Sequence, residues 1–380
     1  MPPGIESSAA AESGNGLRRF ARHLSLPGFG SEAQERLRLS RVLCIGAGGL
    51  GSPALLYLAA GGVGQIVIVD DDRVELSNLQ RQVLFSTGDL GQPKAEAAAM
   101  KLRALYPEIR VEPHVTRFMA ANAMRLAQGA QVIVDGSDNF STRYVSNDTA
   151  VLLGIPNVYG SIYRYEGQAS VFAPSLDFPC YRCLFPAPPA PGKVPTCADD
   201  GVLGVLPGLI GTIQATETIK LITGIGTSLG GRLLHLDALT MRFRELALRR
   251  DPNCPACGEQ RVIFSPQDPV FQCTLKPTAA AVTAEELAAL LDHPEQALCI
   301  LDVREQWEQQ LSPWEKATMA IPTGELSRRW HEVPNECPRI IVVCSIGERS
   351  AGAAEFLISR GLSGVQHLHR GLRDFPGFTG

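Results

Sequence analysis

The chain has 380 residues, too many for one typical domain, so we expect two or three domains. Hydrophobic residues make up 45% and charged residues 19%, which suffices for large cores and excludes a globally disordered chain. The formal net charge of −4 argues against a nucleic-acid-binding protein.

Residues 1–16 predict a disordered leader rather than a targeting signal, because they contain neither a basic nor an apolar region. We therefore expect a cytoplasmic protein in which most of the ten cysteines are thiols. The most apolar later segment, residues 201–226, contains Pro207, Glu217 and Lys220. This composition favours a buried loop and helix over a membrane span.

Residues 17–39 predict two short helices separated by a turn at residues 27–30. Apolar runs then alternate with helical segments, a pattern that favours a mostly parallel sheet covered on both faces. Ligands of such sheets bind beyond the carboxyl ends of the strands. We therefore expect the loop after the first strand, Asp70 and residues 135–139 to surround one crevice.

A glycine-rich loop follows the first apolar run, with G-x-G-x-x-G spacing that lets backbone N–H groups approach a phosphate. Its glycines are Gly46, Gly48, Gly49 and Gly51. Asp70 ends the next apolar run, where a carboxylate can accept hydrogen bonds from ribose hydroxyls. The motifs SNLQRQ and QPK add Asn78, Arg81 and Lys94. Each alone is more often a surface residue, but their joint spacing after Asp70 favours a functional role, in which Arg81 and Lys94 supply positive charge that a plain dinucleotide-binding fold does not need.

The segment DGSDN follows another apolar strand and places Asp138 and Asn139 at the rim of the predicted crevice. A carboxylate at Asp138 suits Mg²⁺ bound to a triphosphate. The same residue could instead cap the helix that begins near Phe140, and both interpretations remain open.

From residue 155 the pattern changes. Residues 155–174 predict short strands with a turn at residues 166–167, followed by an irregular segment at residues 179–200. Residues 207–224 predict a helix, and residues 232–250 predict strands.

Two C-x-x-C pairs in this region predict a structural zinc site, since four thiolates complete a tetrahedral centre and neither pair alone does. They consist of Cys180, Cys183, Cys254 and Cys257. The alternatives are two separate buried pairs or a redox motif. A redox motif would lie at a strand-to-helix turn, whereas the first pair lies in a proline-rich segment.

The cysteines outside these two pairs, apart from Cys344, divide into three groups. Cys197 lies in a Gly/Pro-rich segment that we expect to be exposed. It could be a nucleophile, an acceptor thiol or an incidental loop residue, and these alternatives stay open. Cys44 and Cys299 lie within apolar runs and are expected to behave as small core residues. Cys273 and Cys337 are given no function.

Residues 259–278 predict a linker, and residues 279–380 restart an α/β pattern as a second, different domain. Its first helix opens with a capping box from Thr283 to Glu286, and a later helix ends at Gly361. The motif CSIGERS begins at Cys344, between a strand and a helix. Backbone N–H groups, the helix N-terminus and Arg349 would stabilise an anionic sulfur there, although a buried strand cysteine is the alternative.

These motifs carry a family resemblance over most of the chain. Residues 17–257 resemble the MoeB/ThiF adenylyltransferases, relatives of the ubiquitin-activating enzymes, through FARHLSLPGFG, GAGGLGS, DDDRVELSNLQRQ, GQPK, DGSDN, CYRC, TCADDGVLGVLPGLIGTIQATETIK and CPACG. Residues 279–380 look like a rhodanese domain through LDVRE, CSIGERS and LHRGLRDF, although QLSPWEKATMAIP replaces the usual Gly-His-Ile-Pro-Gly-Ala stretch.

The resemblance implies a Rossmann-like, doubly wound, mostly parallel α/β domain with a structural zinc site at residues 17–258. A linker at residues 259–278 and a smaller α/β rhodanese domain at residues 279–380 follow. The implied reaction is adenylation, with ATP and Mg²⁺, of the C-terminal Gly-Gly carboxylate of a ubiquitin-like sulfur-carrier protein, with release of pyrophosphate. A persulfide on Cys344 then yields the carrier thiocarboxylate, and a cysteine desulfurase or thiosulfate supplies the sulfur.

The resemblance also assigns roles to single residues. Asn78, Arg81 and Lys94 would contact the phosphates, and Cys197 matches a position that forms a covalent bond to the carrier in some members. Arg22 would reach the phosphates of the neighbouring subunit, since members are homodimers. A molybdopterin-synthase type of carrier is expected, while thiamine, tRNA thiolation, cysteine and siderophore pathways stay open.

Two other classes of protein remain as alternatives. An NAD-dependent oxidoreductase would share the glycine loop and Asp70 but has no use for SNLQRQ, QPK or CSIGERS. A non-catalytic protein that binds ubiquitin-like partners would form no carrier adenylate.

Overall fold

The computed structural model describes residues 18–188, 201–269, 279–292 and 297–378. Its described residues form two compact units, residues 18–188 with 201–269 and residues 279–292 with 297–378. The predicted leader, Cys197 and Cys273 lie outside the described residues.

The first unit is built on an eight-stranded sheet with strand order β3-β2-β1-β4-β5-β6-β7-β8. Strands β1 to β5 are parallel, and β6, β7 and β8 are added antiparallel. The strands are β1 (Arg41–Ile45), β2 (Gln65–Val69), β3 (Arg110–His114), β4 (Val132–Asp135), β5 (Asn157–Tyr163), β6 (Glu166–Phe172), β7 (Arg232–Asp237) and β8 (Arg242–Ala247).

Helices cover both faces of this sheet. They are α1 (Ala21–Leu24), α2 (Gly30–Leu39), α3 (Gly51–Gly61), α4 (Lys94–Leu105), α5 (Ala120–Leu126), α6 (Phe140–Leu153), α7 (Tyr181–Leu184) and α8 (Leu206–Thr223). Alternate residues of β1 enter different cores: Val42 and Cys44 pack with residues of α2, α3 and α4, whereas Leu43 and Ile45 pack with residues of α5 and α6. Burial on both faces explains why these strands are continuously apolar.

The hairpin between β5 and β6 corrects one expectation. Strand β6 already begins at Glu166, so the turn lies at Arg164 and Tyr165 and not at residues 166–167. Arg164 has a φ of 51°, the left-handed conformation that tight turns use.

The second unit contains a five-stranded parallel sheet with order β11-β10-β12-β13-β9. Its elements are β9 (Ala280–Val282), α9 (Ala284–Leu291), β10 (Leu298–Asp302), α10 (Gln306–Leu311), β11 (Met319–Ala320), α11 (Thr323–Arg329), β12 (Arg339–Val343), α12 (Glu348–Ser359) and β13 (Val365–Leu368). The capping box predicted from Thr283 to Glu286 is present at the start of α9.

Cys299 packs against the core of the second unit as expected, but it also forms a disulfide with Cys337, a pairing that we did not predict. Strand β10 pairs with β12, and Cys337 lies just before β12, so the two Cα atoms are 6.3 Å apart. Sequence spacing alone did not show this proximity. Cys44, in contrast, is fully buried as expected.

Helix α8 is hydrogen-bonded to two neighbouring strands, β4 and β5, near the carboxyl edge of β4. The side-chain amide of Gln214 donates hydrogen bonds to the carbonyls of Asp135 and Val158, at 2.7 and 3.0 Å. A Cβ at Gly160 would collide with this side chain. Among the described residues, we find no helix with the length and apolar character needed to cross a membrane.

Helix α6 holds the first C-x-x-C segment through buried polar contacts. The Arg182 guanidinium donates two hydrogen bonds to the Asp148 carboxylate, at 2.7 and 2.8 Å, and the Asn147 side chain accepts one from the Tyr181 N–H at 2.7 Å. Burial raises the pKa of Asp148, and the Arg182 contact opposes that rise. The ion pair therefore keeps a buried carboxylate compensated.

Arg182→Met is expected to destabilise the first unit by about 3–5 kcal/mol, because it leaves Asp148 buried without its cation. Urea unfolding of the full chain measures the change. Arg38→Met is the control, since Arg38 pairs with Glu35 on the surface, and its midpoint should not move measurably. Equal midpoints for the two variants would contradict the assigned role of the buried pair.

Candidate functional site

A cavity of about 290 Å³ lies at the carboxyl edge of β1, β2 and β4, where the alternating pattern predicted a crevice. Most of the predicted nucleotide-binding residues line it together: Gly46, Gly48, Gly49, Asp70, Arg81, Lys94, Asp138 and Asn139. The tertiary structure thus brings these separate sequence motifs to one place.

The glycine loop needs glycine at specific positions. Gly46 has a φ of 86°, and a Cβ there would lie 3.0 Å from the Gly136 carbonyl oxygen. Gly51 begins α3, and a Cβ there would collide with the carbonyl oxygen of Gly46. The loop therefore turns tightly and directs the N-terminus of α3 toward the cavity, where it favours an anion.

The Asp70 carboxylate is held in place by two backbone groups. It accepts hydrogen bonds from the Ala47 N–H at 2.8 Å and the Asp72 N–H at 2.9 Å. Burial raises the pKa of Asp70, while the charge of Lys94 and these N–H groups oppose the rise. Asp70 thereby links the glycine loop to the end of β2.

Lys94 is a buried cation at the start of α4, and its ammonium lies 2.8 Å from the Asp72 carboxylate. Arg81 is half-buried, and its guanidinium donates to the Ser77 carbonyl at 3.2 Å. A Cβ at Gly49 would lie 3.6 Å from the Arg81 Cδ atom and 3.1 Å from Pro207 of α8. The SNLQRQ segment therefore packs directly against the glycine loop.

Three residues predicted for the nucleotide site, Gly51, Asn78 and Arg22, are not among those lining the cavity. Asn78 is buried beside it, and its side-chain oxygen accepts from the Glu75 N–H at 3.3 Å within a short helical turn. Arg22 is exposed on α1. Cys197 lies outside the described residues.

The structure separates the two interpretations of the DGSDN segment. The cap of α6 is Asn139, whose side-chain oxygen accepts from the Thr142 N–H at 2.9 Å. Asp138 is exposed at the cavity wall. Its carboxylate faces solvent in the crevice and could coordinate a hard cation there.

Several further residues of the cavity wall were assigned no role from the sequence, among them Gln82, Arg117 and Arg143. Arg143 is buried, and its guanidinium lies over the Tyr159 ring, 5.5 Å from the ring centre. Gln82 was visible within SNLQRQ, while Arg117 and Arg143 carry no motif. Their positions follow only from the tertiary structure, in which the segment after β3 and the first turn of α6 meet at the same crevice.

The four cysteines of the two C-x-x-C pairs converge, with all Sγ atoms within 4.8 Å of one another. The Sγ atoms of Cys180 and Cys254 are 3.5 Å apart, as are those of Cys183 and Cys257. Tetrahedral Zn–S bonds of about 2.3 Å require sulfur separations of about 3.8 Å. All four are free thiols, and the cluster therefore fits zinc.

In the second unit, the loop that begins at Cys344 wraps its backbone around the sulfur. The N–H groups of Gly347 and Ser350 lie 3.1 and 3.3 Å from the Cys344 Sγ atom. Gly347 has a φ of 94°, which turns the loop into α12. The predicted sulfur cradle is therefore present, and its donors are mainly backbone N–H groups.

The Arg349 side chain, which we expected to support the sulfur, pairs with a residue that the sequence did not single out. It donates to Glu308 of α10 at 2.6 and 2.7 Å, and the Ser345 hydroxyl also donates to Glu308 at 2.9 Å. Burial acts to raise the pKa of Glu308, but these contacts lower it to about 2. Glu308 thus fixes the loop and balances the charge of Arg349.

Comparison with known proteins assigns each unit to a family. Residues 20–256 match the ThiF family, and residues 283–376 match the rhodanese-like domain. The probable adenylyltransferase/sulfurtransferase MoeZ of Mycobacterium tuberculosis is 43% identical over 98% of this chain and 95% of its own length. The sulfur carrier protein adenylyltransferase of Thermus thermophilus is 52% identical over 64% of this chain and 92% of its own length.

The SAMP-activating enzyme E1 of Haloferax volcanii is 54% identical over 64% of this chain and 89% of its own length. Among solved structures, E. coli MccB with ATP covers 63% of this chain and 73% of its own, with a TM-score of 0.55 and 22% identity. That likeness shows the shared fold. Together these matches show that the chain belongs to the ThiF family and is an adenylyltransferase with a rhodanese-like sulfurtransferase domain.

Proposed function

We propose that the enzyme uses ATP to adenylate the C-terminal Gly-Gly carboxylate of a ubiquitin-like sulfur-carrier protein. The observation that carries this proposal is the convergence of the glycine loop, Asp70, Arg81 and Lys94 on one cavity. Relatives named as activating a sulfur-carrier protein or SAMP support the choice of substrate. A carrier of the molybdopterin-synthase type is our preferred partner.

The first step needs charge neutralisation more than a protein nucleophile. The carrier carboxylate attacks the α-phosphate, a new C–O–P linkage forms, and pyrophosphate leaves with the electrons of the broken P–O bond. Arg81, Lys94 and the N–H groups of the glycine loop stabilise the charge that develops. Asp70 orients the ribose, so the reacting groups are already in position.

Asp138 would hold Mg²⁺, which would neutralise charge on the triphosphate. Its exposed carboxylate at the cavity wall, released from helix capping by Asn139, supports this role. Zn²⁺ would be held by the four clustered cysteines and would join α7 to the segment after β8.

The second step transfers sulfur. Cys344, charged by a cysteine desulfurase or thiosulfate, carries a persulfide whose terminal sulfur attacks the acyl-adenylate and displaces AMP. The resulting acyl disulfide is cleaved when the Cys197 thiolate attacks the Cys344 sulfur. A Cys344–Cys197 disulfide forms, and the carrier thiocarboxylate leaves with the electron pair.

We also propose a homodimer in which Arg22 completes the cavity of the neighbouring subunit. Support comes from its position on an exposed helix outside the cavity of its own chain. A cation supplied in this way would add to Arg81 and to Lys94, whose ammonium already pairs with the Asp72 carboxylate.

Asp138→Ala is expected to lower carrier-dependent ATP–pyrophosphate exchange by at least about 100-fold, the loss typical when an electrostatic contact to the reacting phosphate is removed. Cys344→Ala is the matched control and should keep full exchange while losing sulfur transfer. Full exchange by Asp138→Ala would refute its role.

Freshly purified protein is expected to contain one zinc ion per chain by elemental mass spectrometry. Cys254→Ser should lose the zinc and lower the melting temperature by roughly 10 °C, the shift that ~4 kcal/mol gives in a domain of this size. Cys44→Ala, at a buried cysteine outside the cluster, should keep its zinc. Zinc well below one per chain would contradict the site.

Mixing two inactive variants tests the dimer. Arg22→Ala and Asp138→Ala chains, unfolded and refolded together, should recover about a quarter of wild-type exchange, since half the dimers are mixed and each restores one of two sites. Each variant refolded alone is the control. No recovery in a mixture shown to contain mixed dimers would mean that Arg22 does not act across subunits.

A further inference from the structure

Arg370 has a backbone conformation that disfavours its own side chain. Its φ is 59°, in the left-handed region where glycine and asparagine are favoured. The strain lies beside the sulfur loop, since a Cβ at Gly347 would be 2.7 Å from the Arg370 nitrogen and 3.0 Å from its Cα atom. The Gly347 N–H in turn lies 3.1 Å from the Cys344 Sγ atom. Arg370 therefore borders the sulfur-bearing loop directly.

The charge of Arg370 is far less compensated than that of Arg349. Arg349 makes two short hydrogen bonds to Glu308, and both side chains are largely buried, at 11% and 14% exposure. Arg370 is 74% exposed, and its guanidinium lies 3.8 Å from the exposed Asp374 carboxylate, a separation at which solvent screens the pair. Arg373 follows nearby, also exposed, with its N–H donating to the Ser345 carbonyl.

Charging Cys344 from an anionic donor brings like charges together. A Cys344 thiolate attacks the outer sulfur of thiosulfate, a new S–S bond forms, and the bond to the sulfonate sulfur breaks as sulfite leaves with the electron pair. Three negative charges are present before and after the step. A nearby cation that is only weakly paired lowers the barrier by offsetting the repulsion between thiolate and dianion.

We propose that Arg370 is a specificity-determining residue that draws anionic sulfur donors of the thiosulfate type to Cys344. The proposal rests on the sulfur transfer at Cys344 proposed above. The left-handed conformation of Arg370 accords with this role, since strained residues are concentrated at functional sites. Arg349 positions the loop through Glu308, while Arg370 supplies charge at its edge.

The local potential can be measured without sulfur transfer, by comparing the alkylation rates of Cys344 with anionic iodoacetate and neutral iodoacetamide. Peptide mass spectrometry identifies the product at Cys344. A unit charge at roughly 7 Å in water changes the rate for a monoanion about threefold. Arg370→Asn, which tolerates the backbone conformation, should lower the iodoacetate-to-iodoacetamide ratio by that factor, and Arg370→Lys should retain most of it. High salt should abolish the difference.

Thiosulfate gives a second, stronger readout. Because it carries two charges, Arg370→Asn should lower kcat/KM for sulfite release about sevenfold, the square of the iodoacetate effect, mainly through KM. Wild-type chains that release no sulfite would refute sulfur transfer from thiosulfate, while the alkylation ratio would still decide the role of Arg370. An unchanged ratio in Arg370→Asn would overturn the proposal.

Met241→Gly is the matched control for strain. Met241 is also left-handed, with a φ of 50°, and lies exposed between β7 and β8. Both Met241→Gly and Arg370→Asn should raise the melting temperature slightly, because each relieves an unfavourable φ. Only Arg370→Asn should change the ratio; an equal change in Met241→Gly would show an effect of general stability and overturn the proposal.

Discussion

The close backbone packing of the glycine loop is the constraint on which the nucleotide cavity depends. The carbonyl of Gly46 occupies the space of a Cβ at Gly51, and Gly136 closes against Gly46 from the neighbouring strand end. Only this approach lets α3 start at the cavity while Asp70 accepts the Ala47 N–H. Backbone geometry therefore sets where an anion can bind, before any side-chain charge acts.

Both units use the same arrangement to stabilise an anion. Each places backbone N–H donors at a strand-to-helix turn and pairs a nearby cation with a carboxylate: Lys94 with Asp72, and Arg349 with Glu308. Pairing holds each cation in position but cancels much of its charge. Further charge must then come from elsewhere, which is the role proposed for Mg²⁺ and Arg22 at the nucleotide and for Arg370 at the sulfur.

Site residues at fixed positions after a strand were predictable from the sequence. Residues whose role depends on which side chain makes a particular hydrogen bond were not. The sequence placed Gly46, Asp70 and residues 135–139 at one crevice because parallel strands end at one edge. It left Asp138 undecided, because either Asp138 or Asn139 could cap α6 and only the folded helix shows that Asn139 does. Glu308 was missed because its partner Arg349 is distant in sequence and the pair forms only across two elements.

The sequence by itself determined the two α/β units, the glycine loop, the two cysteine pairs and the sulfur loop, since each depends on local periodicity or on fixed spacing within a short segment. The tertiary structure decided which separate segments meet. It brought Cys180 and Cys183 to Cys254 and Cys257, and joined Cys299 to Cys337. It also placed the strained Arg370 beside Gly347. Such contacts arise from strand order and loop packing. They join residues that are far apart in the sequence, so a local sequence pattern does not predict them.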